Sequence, residues 1–159
     1  MIAQQGRSPS FSYTELADQM LPHQANILGK VFGGTVLAQI DKAAGTAAIR
    51  HAGRTCVTAQ VDRVTFESPI EIGELMRVLA VVSCVGRSSI EVEVKVLAME
   101  LHTGVERLTN SCYVTMVAID ADGRPTPVRP LLPETDEERE RMKAAQERMA
   151  ERKARRGKT

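Results

Sequence analysis

Residues 34–53, GTVLAQIDKAAGTAAIRHAG, decide the fold. Val36, Leu37, Ile40, Ala44 and Ala47 recur at three- and four-residue spacing, the period of a helix with one apolar face. The other positions are rich in small residues: Ala38, Ala43, Gly45 and Ala48. Small residues let other backbones come close, so the spacing predicts an enclosed helix. Gly45 inside it costs about 1 kcal/mol relative to Ala, which points to a packing reason for it. His51, Ala52 and Gly53 end the helix with a basic residue in the last turn and a glycine after it.

Outward from this helix the chain changes period. TCVTAQVDRVTF alternates, with Val57, Ala59 and Val61 on one face and Thr58, Gln60 and Asp62 on the other. SPIEIGE is a turn with Pro69 and Gly73, and LMRVLAVVSCV is nearly all apolar, as a strand covered on both sides would be. After the break GRSS, Ile90, Val92, Val94 and Val96 face inward while Glu91, Glu93 and Lys95 face outward. HTGVE leads into a last long strand, ERLTNSCYVTMVAID. Four strands follow one helix with no crossover helix between them. That order excludes a parallel doubly wound sheet and predicts an antiparallel α+β domain. Before the helix, SYTELADQML is helix- or strand-like and PHQANILGKVFGG reads as a loop.

The remaining composition bounds the class. With 159 residues, one domain is expected, and a 43% hydrophobic content supports a core. Aromatics are only 3%, so Val, Ile, Leu, Ala and Met must build it. No apolar run reaches the ~18 residues of a membrane span, and the first residues lack a signal-peptide apolar region. Cys56, Cys84 and Cys112 are three and widely spaced, which fits a reducing compartment and a cytoplasmic location, and no Cys-cluster metal site. His23, His51 and His102 have no metal spacing, so no metal and no cofactor are expected.

Net charge is +1, but it divides unevenly: about −1 for residues 1–133 and about +2 for residues 134–159. The first span is read as the single domain, the second as a charged helical C-terminal extension. This helix offers few apolar contacts, namely Met142, Ala145 and Met149, and pairs such as Glu137–Arg141 at four-residue spacing. It either lies over a neighbouring subunit or stands as a solvated extension. The terminal run RKARRGKT is basic, yet few aromatics leave no base-stacking platform, so no nucleic-acid partner is expected.

Chemistry concentrates between residues 26 and 41. Asn26 presents an amide on a loop, Gly33 and Gly34 allow close approach of backbone to a ligand, and a helix start follows. The unpaired N–H groups there suit a carbonyl oxyanion. Asp41 lies two turns on, among Ile40, Ala43 and Ala44, where an unpaired carboxylate is costly. Oxyanion donors with a carboxylate to activate water describe acyl-transfer or hydrolytic chemistry. Thr58 and Ser83 have no base beside them in sequence, so no hydroxyl nucleophile is assigned.

The ordered set Asn26-x-x-Gly29-x-x-Phe32-Gly33-Gly34, the apolar helix with Asp41, Val61–Phe66, Gly86-Arg87-Ser88-Ser89-Ile90 and Cys112–Asp120 resembles the hotdog-fold acyl-CoA thioesterases. Within them it is most similar to the branch of YciA-type and cytosolic acyl-CoA hydrolases, over about residues 15–130. Phe32 stands where other branches carry a histidine.

The resemblance implies a long central helix wrapped by an antiparallel sheet of five or six strands, dimers through sheet edges, and assembly to hexamers. It implies hydrolysis of acyl-CoA at the dimer interface, with Asn26 of one subunit and Asp41 of the other facing the thioester. Asp41 is then general base for water, or nucleophile through an anhydride; the Gly34 N–H holds the oxyanion. Coenzyme A, part of substrate and product, is expected at Phe32, Gly33 and the turn of Arg87, Ser88 and Ser89, with Arg63 and Arg54 weaker. Asp62 is read as paired with Arg63 or Arg87. Two rivals share these residues: an acyl-CoA sensor without catalysis, and a hotdog acyl-thioester dehydratase. A pure binder has no need of the Asn26–Asp41 pair, and a dehydratase needs a histidine where Phe32 stands.

Overall fold

The computed structural model describes residues 5–157. A short helix α1 (Pro9–Ser12) leads into strand β1 (Thr14–Gln19), a 3-10 turn (Pro22–Gln24) and the long helix α2 (Gly33–Ala52). Strands β2 (Cys56–Phe66), β3 (Leu75–Val85), β4 (Ser89–Met99) and β5 (Glu106–Ala118) follow, then helix α3 (Asp136–Arg156). The strands form one antiparallel sheet in the order β1-β3-β4-β5-β2. The ambiguous segment before the loop is therefore an edge strand, and the expected five to six strands are five. Among the described residues, no helix is long and apolar enough to cross a membrane.

Helix α2 lies on the inner face and touches all five strands. Ala43, Ala44, Ala47 and Ala48 are fully buried beside Val36 and Ile40. Their missing bulk brings the helix close to the sheet, and β4 answers with Ile90, Val92, Val94 and Val96, all without solvent exposure. The helix stops at Gly53, whose φ of 71° suits glycine and lets its N–H reach the Ile49 carbonyl at 2.8 Å. The Arg7 guanidinium donates to the last-turn carbonyls of Arg50 and His51.

Two expectations about this helix fail. It is not enclosed within one chain: Leu37 and Ile49 are exposed with Asp41 and Lys42 on the face turned from the sheet. Gly45 has no steric necessity here, since an added Cβ would sit an ordinary 3.7 Å from the Met116 side chain. The alternation expected in β2 also fails. Register shifts at Thr58/Gln60 and Asp62/Thr65 break its period, and Arg63 sits at φ 54°. Val57, Val61 and Phe66 are consequently exposed on a sheet edge.

The outer face is not open to water either. Glu91, expected to face outward into solvent, is fully buried beneath α3. Arg148 Nη2 and Arg152 Nη2 reach its two carboxylate oxygens at 2.8 and 2.6 Å, and the Ser83 hydroxyl donates to it at 2.8 Å. The Arg148 guanidinium also stacks 3.8 Å over the Tyr113 ring. Ala145 and Met149 pack on Cys84 to complete the contact. Thr135 and Glu138 begin α3 with a reciprocal capping box, and Arg141 pairs with Glu137 at 3.0 Å as its spacing foretells.

Candidate active site

The loop before α2 is shaped by Asn26. Its side-chain oxygen accepts the N–H groups of Leu28 (2.9 Å) and Lys30 (3.1 Å), and its backbone N–H donates to the Lys30 carbonyl (2.7 Å). Gly29 closes this turn at φ 74°. Lys30 pairs with Glu71, and the Val31 N–H donates to the Ile70 carbonyl, which fastens the loop to the segment before β3. With its oxygen occupied twice, Asn26 has only its amide N–H groups to offer a ligand. It is therefore a donor, suited to a carbonyl oxygen.

Phe32 caps α2, and its carbonyl accepts the N–H of Thr35 at 2.9 Å. The N–H groups of Gly33 and Gly34, in the first turn, make no hydrogen bond among the described residues. A Cβ added at Gly34 would overlap the Phe32 ring, which would have to swing away from the helix start. The ring thus lies against the helix start, half of it exposed. Asn26, Gly33, Val36, Phe66, Pro69 and Asn110 line a cleft of about 470 Å³ here. Asn110, buried and donating to the Thr65 carbonyl at 3.1 Å, went unnoticed in the sequence because nothing local marks a strand asparagine as cleft-lining.

Asp41 is elsewhere. Eight residues along α2 from Gly33, it stands ~12 Å further down the axis and is absent from this cleft. It is exposed, not buried among alanines as its neighbours suggested, because it projects from the face away from the sheet. Its Oδ1 accepts the Thr58 hydroxyl at 2.6 Å. Thr58, passed over for want of a neighbouring base in sequence, has a carboxylate beside it in space. One chain thus carries two separated polar groups: unbonded N–H donors at the start of α2, and a held carboxylate two turns on.

The other sequence candidates scatter. Arg63 ion-pairs with Glu151 of α3 at 2.9 Å. Arg87 is exposed in the β3–β4 turn, where its carbonyl and that of Ser88 accept the N–H groups of Val128 and Ala118. Ser89 lies on the outer sheet face, in a small cleft beside α3. Arg54 Nη1 donates to Thr126 at 3.0 Å. Asp62 approaches Arg152 at 3.8 Å, and neither Arg63 nor Arg87 is its partner.

The chain is similar to known proteins over most of its length. Residues 28–105 match the family model of the thioesterase superfamily. A Bacillus subtilis protein described as an uncharacterized acyl-CoA thioester hydrolase is 39% identical over 137 residues, covering 86% of this chain and 80% of that one. An apo-hexameric acyl-CoA thioesterase superposes with a TM-score of 0.91 at 39% identity, covering 96% of this chain and 97% of that one. An acyl-CoA hydrolase from Staphylococcus aureus, solved with butyryl coenzyme A and coenzyme A, gives 0.88 at 37% identity over 96% and 93% of the two chains. Variants of that hydrolase with an aspartate, an asparagine or a threonine changed to alanine superpose as well.

Proposed function

The chain belongs to the thioesterase superfamily, and from that premise we propose that it is an acyl-CoA thioesterase whose active site is completed by a second copy of itself. The separation of the half-sites carries this reading. Asn26 and the Gly34 N–H of one subunit bind the thioester carbonyl oxygen. Asp41 of the other subunit, fixed by Thr58, takes a proton from water. The hydroxide equivalent adds to the carbonyl carbon, and negative charge gathers on the oxygen where the N–H donors converge. Collapse of the tetrahedral intermediate breaks the C–S bond, so coenzyme A leaves as thiolate and takes up a proton while the carboxylic acid departs.

No metal or cofactor enters these steps. The exposed apolar residues of edge strand β2, with Leu37 and Ile49 of α2, supply a surface for the dimer. Such dimers then assemble to a hexamer like the hexameric neighbour, and we place the protein in the cytoplasm. The residue types changed in the staphylococcal variants, an aspartate, an asparagine and a threonine, are those of Asp41, Asn26 and Thr58. The arrangement favours hydrolysis over the sensor and dehydratase readings, since it supplies a held base and no histidine.

The test is release of free coenzyme A thiol from acyl-CoA esters running from acetyl to palmitoyl. Asp41→Ala should lose ~10²–10⁴-fold in turnover with the dimer intact. Mixing inactive Asp41→Ala with inactive Asn26→Ala chains should restore activity, because each mixed dimer rebuilds one complete site. Failure of the mixture to recover would place both residues in the same subunit's site. Saturable coenzyme A binding with no thiol release would instead make the protein a sensor.

A further inference from the structure

Beside α3, on the face of the sheet opposite α2, Ser89, Thr115, Met149, Arg152, Lys153 and Arg156 line a cleft of about 60 Å³. Two buried donors there are unsatisfied. Thr115 Oγ1 and Arg152 Nη1 find no hydrogen-bond partner, although both residues are 8% exposed. Asp62 Oδ2, at 3.8 Å, is too far to serve Arg152 Nη1 as a hydrogen-bond acceptor. Buried polar groups left unpaired are rare in folded proteins, and two lining one cleft mark a place where an acceptor belongs.

The lining fixes the sign of that acceptor. Ser89 and Thr115 offer hydroxyls, and no carboxylate lines the cleft. Arg152 already answers Glu91 through Nη2 (2.6 Å), so the buried ion pairs beneath are spoken for. Lys153, exposed at the rim, makes no ion pair among the described residues. Arg156 donates to Gln60 at 3.1 Å, and Gln60 stands opposite Thr115 in the β2–β5 register, two residues from Thr58. The cleft has room for several water-sized groups, enough for a small tetrahedral anion. Gly86 stands close to two lining side chains: an added Cβ would lie 2.6 Å from Ser89 Oγ and 3.4 Å from Met149 Sδ.

We propose that this cleft is a phosphate site, in which Thr115, Ser89 and Arg152 donate to phosphate oxygens and Lys153 closes the mouth. Helix α3 thereby supplies half of a binding site. A substrate phosphate is the first source to test, and that identification rests on the thioesterase reading; the anion site does not.

Thermal melts of the full chain at constant ionic strength separate the two. Inorganic phosphate or adenosine 3′,5′-bisphosphate should raise Tm by several degrees, on the order of 5 °C at saturation. Lys153→Ala and the isosteric Thr115→Val should each abolish most of that rise. Neither change touches the Glu91 ion pairs, so both chains fold. No rise with either anion, or an equal rise in the variants, overturns the proposal.

The source is read from hydrolysis. If the substrate's 3′-phosphate occupies the cleft, the same acyl ester of dephospho-coenzyme A has a KM about tenfold higher than that of acyl-CoA, and Lys153→Ala narrows that difference by raising the KM for acyl-CoA alone. A Tm rise without this discrimination makes the occupant a free phosphate. A wild type that cleaves no thioester defeats the thioesterase reading and leaves the melts to decide the cleft.

Discussion

Helices α2 and α3 are nearly equal in length, 20 and 21 residues, and lie on opposite faces of one sheet. They are held there by different physics. Helix α2 offers alanines and two β-branched residues to a face of valines, and its adhesion is the non-directional burial of apolar surface. Helix α3 is mostly charged and buries only Ala145, Met149, Arg148 and Arg152. Its adhesion is directional, two guanidinium groups meeting one carboxylate that has no access to water. The first contact tolerates small shifts in angle. The second fixes a register, because Arg148 and Arg152, one turn apart, must both reach Glu91.

That contrast breaks first at Glu91. Glu91→Ala leaves two buried guanidinium groups without their partner and should cost ~3–5 kcal/mol in urea unfolding. A cost below ~1 kcal/mol would show that α3 is not held by these ion pairs. On the other face, Ile40→Ala removes a fully buried side chain and should cost ~2–5 kcal/mol. Its cost should change little between low and high salt, whereas salt should alter the stability of chains with and without Glu91 differently.

Acid sharpens the comparison further, since the buried histidine belongs to α2. Burial holds the His51 imidazole below its ordinary range, and Arg7 and Arg129 press the same way against the Arg129 carbonyl it bonds. Above pH ~6.5 the ring is neutral folded or unfolded. As pH falls below that, the unfolded chain takes up the proton first, so stability present at neutral pH is lost on the way down. Tm should fall between pH 7 and 5, and His51→Gln should flatten that fall. The depressed carboxyl groups of Glu15 and Glu74, each bound by an arginine, contribute only further into acid. Smallest of all, Glu137→Ala removes an exposed pair with Arg141 and should cost ~0.3–0.5 kcal/mol in the same urea assay. A larger loss would mean that surface pairs help to dock α3.

What the sequence disclosed follows the same division. Apolar burial has a period, so Val36, Ile40, Ala44 and Ala47 of α2 and the inward row Ile90, Val92, Val94 and Val96 were legible, whereas Leu37, grouped with them by spacing, is exposed. Ion pairing between distant segments has none. Glu91 alternates with valines as a solvent-facing residue would, and nothing near it announces arginines 57 and 61 positions later. Thr58 lies 17 residues from Asp41, too far for a motif read along the chain to join them. In β2, the bulges that set Arg63 at positive φ erase the alternation on which its faces were assigned. The proposed oxyanion half of the candidate site was legible because asparagine, glycines and helix start are contiguous. The carboxylate half was legible as a residue and not in its surroundings.

The order of elements has a consequence during synthesis. Helix α2 leaves the ribosome before β2, β3, β4 and β5, four of the five strands that cover it. At ~5–20 residues per second, its apolar stripe waits several seconds for β5 to be made. For that interval the nascent chain presents Val36, Ile40 and the alanine ridge to whatever is near. Chaperone capture should therefore fall on ribosome-bound chains that end between α2 and β5, and should fade once β5 has emerged.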